Sequence, residues 1–469
     1  MAESIAFLPG HADEPDDVTE SPVCGQDAAE DVPLDGADGE RGGSLVAVMA
    51  VMTAVLLVGT ALFVFGVAEH DLATFQAEDA QAFYLAEAGL ARAKSFLDGK
   101  LDRGQYPGSR TFANQTLGEG EYTVTLQNTG TANPWYTQYD VVSTGTVNGV
   151  QRRVHATISM ETFGKYLWFV DESNFLRWFT SNDRMDGLVH SNDWIRINGD
   201  PWFGDKVTTS LPNMLILWWW SDPVFEKGYE LDVDEIPLPN RNQVRNTIKK
   251  ASKNGGLFLG NLNGANARWE VVLGKDGNTG FLSYRYYKKQ GPNYVHGPWV
   301  DVNIATLNGT LFSQKELWIE GTLDGRLTIS GQTNIHIRGD LLYADSTPGS
   351  GPDPTCDDML GVISRANIIV DYTPANASDC EIHGALMALN EAFEVEDPFL
   401  HPPRGDLIIY GSITQADWGR ICMFEIAGWI VHGYSRKYYY DTRMLTDAPP
   451  YYPQTGRYYV SRWDEELVI

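Results

Sequence analysis

The chain has 469 residues, room for two or three domains, and a formal charge of −27 at pH 7, which argues against nucleic-acid binding because phosphates need clustered Lys and Arg. Aromatics at 12 % and 46 glycines suit β structure with many turns. The four cysteines, Cys24, Cys356, Cys380 and Cys422, do not fall at zinc spacing.

Residues 1–42 read as an acidic, disordered leader, with twelve Asp and Glu before Arg41, its one Lys or Arg. A secretory signal has the reverse charge pattern and a shorter apolar run. From Ser44 to Ala68 no residue carries a formal charge. As helix this run spans about 37 Å, enough for a hydrocarbon core of about 30 Å. Helix formers continue beyond it, and no proline appears before Pro107. Leu72, Phe75, Asp79, Phe83, Ala86, Leu90, Ala93 and Leu97 recur at three- and four-residue steps, an apolar stripe broken by Asp79. One helix over 43–99 is expected, apolar at its start and amphipathic at its end.

A charged leader ending in Arg41-Gly42, an apolar helix entered at once and Ala86-Glu87-Ala88-Gly89-Leu90 near its far end resemble the N-terminus of type IV pilin-like proteins. The nearest classes are the PilX-like minor pilins and the K-like pseudopilins of type II secretion. The resemblance implies that a prepilin peptidase cuts on the cytoplasmic side, after Gly42 or, one later, Gly43. Gly42 is favoured because it sets Leu45 third in the mature chain, where such minor pilins commonly carry leucine. Major pilins carry glutamate at mature position five; here Ala47 stands there, or Val48 in the other register. The missing carboxylate points to a minor or tip subunit. The competing reading of the same stretch is a plain single-pass anchor. Either reading puts the N-terminus in the cytoplasm and the C-terminal part in the periplasm or at the cell surface. Small residues such as Gly59 would let sister helices approach, and Phe83, Glu87 and Leu90 belong to the helix's far half.

Residues 100–164 read as a small antiparallel sheet: Glu121–Leu126 alternates, and Tyr139–Val147 and Val150–Ile158 flank an Asn148-Gly149 hairpin turn. Residues 165–455 change texture. Short apolar strands return after Gly, Asn and Asp corners at 186–199, 317–331, 334–343, 360–370, 381–388 and 406–413, which suggests the rungs of a parallel β-solenoid, with a β-sandwich as the alternative. Residues 211–255, with a polar helix near 240–252, and 256–313, with hairpins, read as insertions; 456–469 reads as a tail. The overall expectation is α+β: a long transmembrane helix, a small sheet, then a large, mostly β domain. The pattern at 187–193, 319–329 and 438–443 resembles an uncharacterised domain that follows pilin-type helices in some bacterial proteins and carries no known activity.

No nucleophile or phosphate-loop motif is present, so neither an enzyme nor a cofactor is expected. The His190-Asn192-Asp193 corner and the Asp353, Asp357 and Asp358 cluster read as turns and solvated loop before they read as metal sites, and His336 and His383 as outward strand positions. Cys356 and Cys380 are the preferred disulfide of the external part. The aromatics Trp218 to Trp220, Trp429, Tyr434, Tyr438 to Tyr440, Tyr451 and Tyr452 read first as packing over a solenoid end, and second as a stacking surface. The functional expectation is a minor pilin or pseudopilin-like subunit partnered by the inner membrane, the peptidase and other pilin subunits, with a surface glycan or protein as a further partner. The alternative is an envelope-anchored solenoid that binds or cleaves polysaccharide.

Overall fold

The computed structural model describes residues 41–101, 107–129, 137–173, 175–217, 219–277, 279–425 and 430–467. Residues 1–40 of the leader, with Cys24, and both Trp218 and Trp429 lie outside them. The chain divides into two compact units, one ending at Ala73 and one running from Thr74 to Ile469. Helix α1 spans Arg41–Leu101, slightly longer at each end than expected.

In the second unit α1 meets a five-stranded antiparallel sheet of β1 (Arg110–Leu117), β2 (Gly120–Asn128), β3 (Gln138–Val147), β4 (Val150–Thr162) and the C-terminal strand Gln454–Leu467. Asn148 and Gly149 both hold positive φ, +48° and +92°, which the tight β3–β4 turn requires. The last strand pairs with β4 over Gln454–Leu467. The stretch read as a tail is therefore a strand. Its solvent-facing Arg462, Asp464 and Glu466 hid it, because edge strands carry charge to deter further pairing.

The mostly β part is a solenoid of parallel ladders, not a sandwich. One ladder places Leu257, Leu311, Ile329, Val362, Leu386, Ile413, Trp168, Val189, Val207 and Tyr229 in register on successive strands. The members between the two ends are buried and form the solenoid core, each contributing about 1.5–3 kcal/mol by burial. The order of that list is the finding. The chain enters the stack in its middle at Trp168, winds to one end at Tyr229–Glu230, and restarts at the other end at Leu257–Leu259. From there it winds back until Pro403–Asp417 pairs in parallel with Trp168–Glu172. The return segment carries α2 (Arg241–Lys253), capped by the Asn240 side chain, which accepts from the Asn242 and Gln243 amides. Val244 and Ile248 of α2 share a core with Phe169, Phe312, Ile363 and Met387 on the outer side of this ladder. This cover buries Ala385 and Met387, while the Tyr343 and Gly349 amides meet His383 and Glu381, so Cys380–Ala388 is buried at every position.

The two ranges read as insertions are partly rungs. Leu215–Ile216, Val224–Phe225 and Tyr229–Glu230 end the ladders. Leu257–Leu259 and Thr310–Ser313 begin one. The hairpin Arg268–Asp276 with Thr279–Gln290 is antiparallel as expected, yet its first strand also pairs in parallel with Glu316–Leu323.

Candidate assembly helix

Within the first unit, the side chains described from Leu45 to Ala73 are all solvent-exposed. Leu45 is 66 % exposed, Leu56 67 % and Phe63 73 %. The most apolar 18-residue window has a mean hydropathy of 2.5 and none of it is buried. A helix apolar around its whole circumference belongs in lipid or among other helices. Ala47 and Val48 lie on this rod, and a methyl added at Gly59 would meet nothing within 4 Å. Gly42 and Gly43 fall in its first turn. One such helix fits a single-pass membrane anchor.

In the second unit α1 is docked. Ala82, Leu85, Ala86, Leu90, Ala93 and Leu97 are buried with Val124, Leu126, Val141, Ala156 and Ile158 of the sheet. Alanines and glycines set the distance. A Cβ at Gly145 would lie 2.1 Å from the Ala82 carbonyl oxygen, and one at Gly89 would lie 2.1 Å from Ser143 Oγ. Leu72 and Phe75, assigned to the stripe, are more than half exposed, so docking begins further along. Glu78 accepts from Asn148 Nδ2 at 2.8 Å. Asp79, the break in the stripe, lies 3.4 Å from Arg152, which also pairs with Glu465 at 2.6 Å.

The C-terminal strand supplies what sequence reading missed. Trp463 Nε1 donates to Glu87 at 2.7 Å, and its ring meets Phe83 edge-on at 6.3 Å. Phe83, Glu87 and Leu90 therefore serve the docked half of the helix. The polar run around Trp463 gave no sign of this, because one indole among charged residues does not mark an apolar face.

The other residues singled out in the sequence are largely buried and hydrogen-bonded within the fold. His190 is 1 % exposed; its Nε2 donates to Asn192 Oδ1 at 2.9 Å and its ring stacks on Phe169. Asp193 accepts from the Ser173 amide at 2.8 Å. Asp358 is fully buried and accepts from the Gly325 and Asp345 amides, and burial raises its carboxyl above the usual range. His383, expected to face outward, is fully buried: its Nδ1 accepts from the Tyr343 amide at 3.1 Å and its Nε2 lies 2.8 Å from Glu381. His336, by contrast, is half-buried beside Asp371. Tyr434, Tyr438 and Tyr452 are core residues, whereas Trp219 is 91 % exposed. The expected disulfide is not formed. Cys356, Cys380 and Cys422 are free thiols. Cys356 Sγ lies 3.6 Å from Asp358 Oδ2, while Cys380 sits in the solenoid core beside Ile382. Burial pushes the Cys356 thiol up to about 11 and the Cys380 thiol higher still. Among the described residues no group of three His, Cys, Asp or Glu is placed to hold a metal ion.

Residues 121–211, from β2 through the first rungs, match the family described as a domain of unknown function, DUF4900. No curated protein matches the chain. Among solved structures, the competence-associated pilin ComZ from Thermus thermophilus is similar at 14 % identity and a TM-score of 0.33, over 83 % of this chain and 98 % of that one.

Proposed function

We propose that this chain is a pilin-like subunit, present in few copies, of a filament of the type IV pilus or type II secretion kind. One observation carries the reading: an uncharged helix exposed on all sides continues without a break into a helix docked on a small antiparallel sheet. Such a rod is stored in the inner membrane, N-terminus in the cytoplasm, and later exchanges lipid for sister helices. Gly59 and the alanines permit that close approach. Cleavage after Gly42 by the prepilin peptidase removes an acidic leader that would keep the helix end in the cytoplasm. Ala47 at mature position five, where major pilins carry glutamate, supports a minor or tip position. The solenoid is then displayed outside as a binding or priming domain without catalytic duty.

The test is N-terminal sequencing of the protein from membranes of cells with and without an active prepilin peptidase. A mature chain beginning at Gly43 only in the former is expected, and Gly42→Leu blocks it. An intact leader in both strains overturns the reading.

A further inference from the structure

In an acidic protein, one concave face gathers guanidinium groups. Its cavity is about 340 Å³ and is lined by Arg268, Arg285 and Arg338 with Glu270, Trp299 and Trp318. The face is built as a row across neighbouring strands. Arg285 stands opposite Glu270, Glu270 opposite Trp318, and Trp318 opposite His336. Residues in such a row point to the same side of a sheet. At the outer end, Arg285 lies over the Trp299 ring at 4.4 Å. At the inner end, Arg268 and Arg338 both lie against the Trp318 ring, at 3.4 and 4.1 Å. Stacking fixes the plane of a guanidinium and so aims its N–H fork.

Glu270 and Asp371 do not use up the hydrogen-bond donors of these guanidinium groups. Glu270 accepts from Arg268 Nε at 3.1 Å and from Arg285 Nε at 2.6 Å, and His296 stands 3.5 Å away. Arg285 spends only Nε there, and its terminal nitrogens have no hydrogen-bond partner among the described residues. Arg338 likewise spends one terminal nitrogen on Asp371, at 2.8 Å. Both side chains are about one-third open to solvent, and Trp299 is 44 % exposed beside them. The face thus offers outward guanidinium donors for an anion, the carboxylate of Glu320 to accept hydroxyls, and an indole for a flat apolar surface.

We propose that this face binds an acidic glycan, Arg285 holding the carboxylate of one sugar, Trp299 the apolar side of its ring, and Arg338, at the other end of the row, an acidic group further along the glycan. The site does not rest on the filament reading: a chain that is never processed keeps it, and a processed chain without it keeps its helix.

The test uses the full chain in detergent, titrated by calorimetry with trigalacturonate, sialyllactose and a hyaluronan tetrasaccharide, with methyl-esterified trigalacturonate and inorganic phosphate as controls. At least one acidic sugar binds, and more weakly as salt rises. Arg285→Ala, Arg338→Ala and Trp299→Ala each weaken binding about tenfold, as does the methyl ester. Arg285→Lys keeps the charge without the fork and decides the matter if the alanine variant fails to fold. No binding of any acidic sugar, equal binding of the ester, equally tight binding of phosphate, or binding unchanged in the variants overturns the proposal.

Discussion

Arg436 and Asp183 stand 253 residues apart and close a two-point ion pair inside the solenoid, Nε to Oδ1 at 2.8 Å and Nη2 to Oδ2 at 2.5 Å. Their side chains are 4 % and 0 % exposed. They tie the strand Ile430–Tyr440, which arrives from one end of the stack, to the corner before Arg184–Asp186, which leaves toward the other. The same guanidinium donates to the Trp178 carbonyl at 2.7 Å, and Asp183 accepts from the Thr180 amide at 2.6 Å. Removing one partner from such a pair leaves the other charge buried, which costs about 3–5 kcal/mol. Asp183→Asn is expected to lower the unfolding free energy, read from urea curves, by that margin, while Arg436→Met with Asp183→Leu recovers most of it. A single variant within about 1 kcal/mol of the parent would show that the seam does not depend on the pair.

That seam marks the limit of what the sequence discloses. The long helix is plain from Ser44–Ala68 because lipid solubility is a matter of composition, and the β3–β4 hairpin from Asn148-Gly149 because a tight turn is local. Rung strands such as Leu327–Ile329 are readable from their corners. Their stacking order is not. Ile413 lies beside Trp168 through backbone hydrogen bonds between segments more than two hundred residues apart, and nothing in either segment names the other. His383 misled for a related reason. On a ladder covered on both faces the alternation that marks a strand's outside is lost, so a buried histidine reads as an outward one. The Arg285, Glu270 and Trp318 row is likewise invisible, since it exists only once three strands are in register.

Docking of α1 turns on Gly145. A methyl there meets the Ala82 carbonyl and the Ala86 amide, at 2.1 and 2.7 Å, and backbone has no rotamer by which to yield. Gly145→Ala is expected to destabilise the packed half of the helix by about 1–3 kcal/mol, the range for forced overpacking. Hydrogen exchange at Ala82–Leu97 reads this directly: protection falls there and not across the solenoid core. Equal loss in both places, or none, contradicts the fitted contact.

Acid should weaken the solenoid partly through His190. Burial holds its imidazole below the ordinary value of 6.5, outweighing the bond to Asn192. Asn192 Oδ1 is the acceptor, because the amide nitrogen donates to Asp171 and to the Ile236 carbonyl. Nearby Glu161 and Arg457 push in opposite directions. Below pH 6.5 the unfolded chain binds a proton that the folded chain resists. The unfolded state then carries more protons, and stability falls as pH drops, by at most about 1.4 kcal/mol per unit, until the folded value is passed. Urea midpoints at pH 7.5 and 5.0 should therefore separate more in the parent than in His190→Gln. Equal pH dependence in the two chains would remove His190 from the account.

The bare half of α1 invites a count. Thirteen Leu, Val and Phe side chains lie between 45 and 68, and at about −0.3 to −0.6 kcal/mol each they favour a membrane by roughly 4–8 kcal/mol. An arginine at the centre of the span opposes this by about 2.5–3.5 kcal/mol. Leu56 and Leu57 sit at that centre, 67 % and 62 % exposed. One arginine, Leu56→Arg, leaves a favourable remainder, so the chain stays in the alkaline-washed membrane pellet. Adding Leu57→Arg brings the sum to about zero or past it, and the double variant should leave the pellet or be degraded, whereas Leu56→Phe with Leu57→Phe behaves as the parent. A double-arginine chain that pellets like the parent would mean that something other than this helix holds the protein in the membrane.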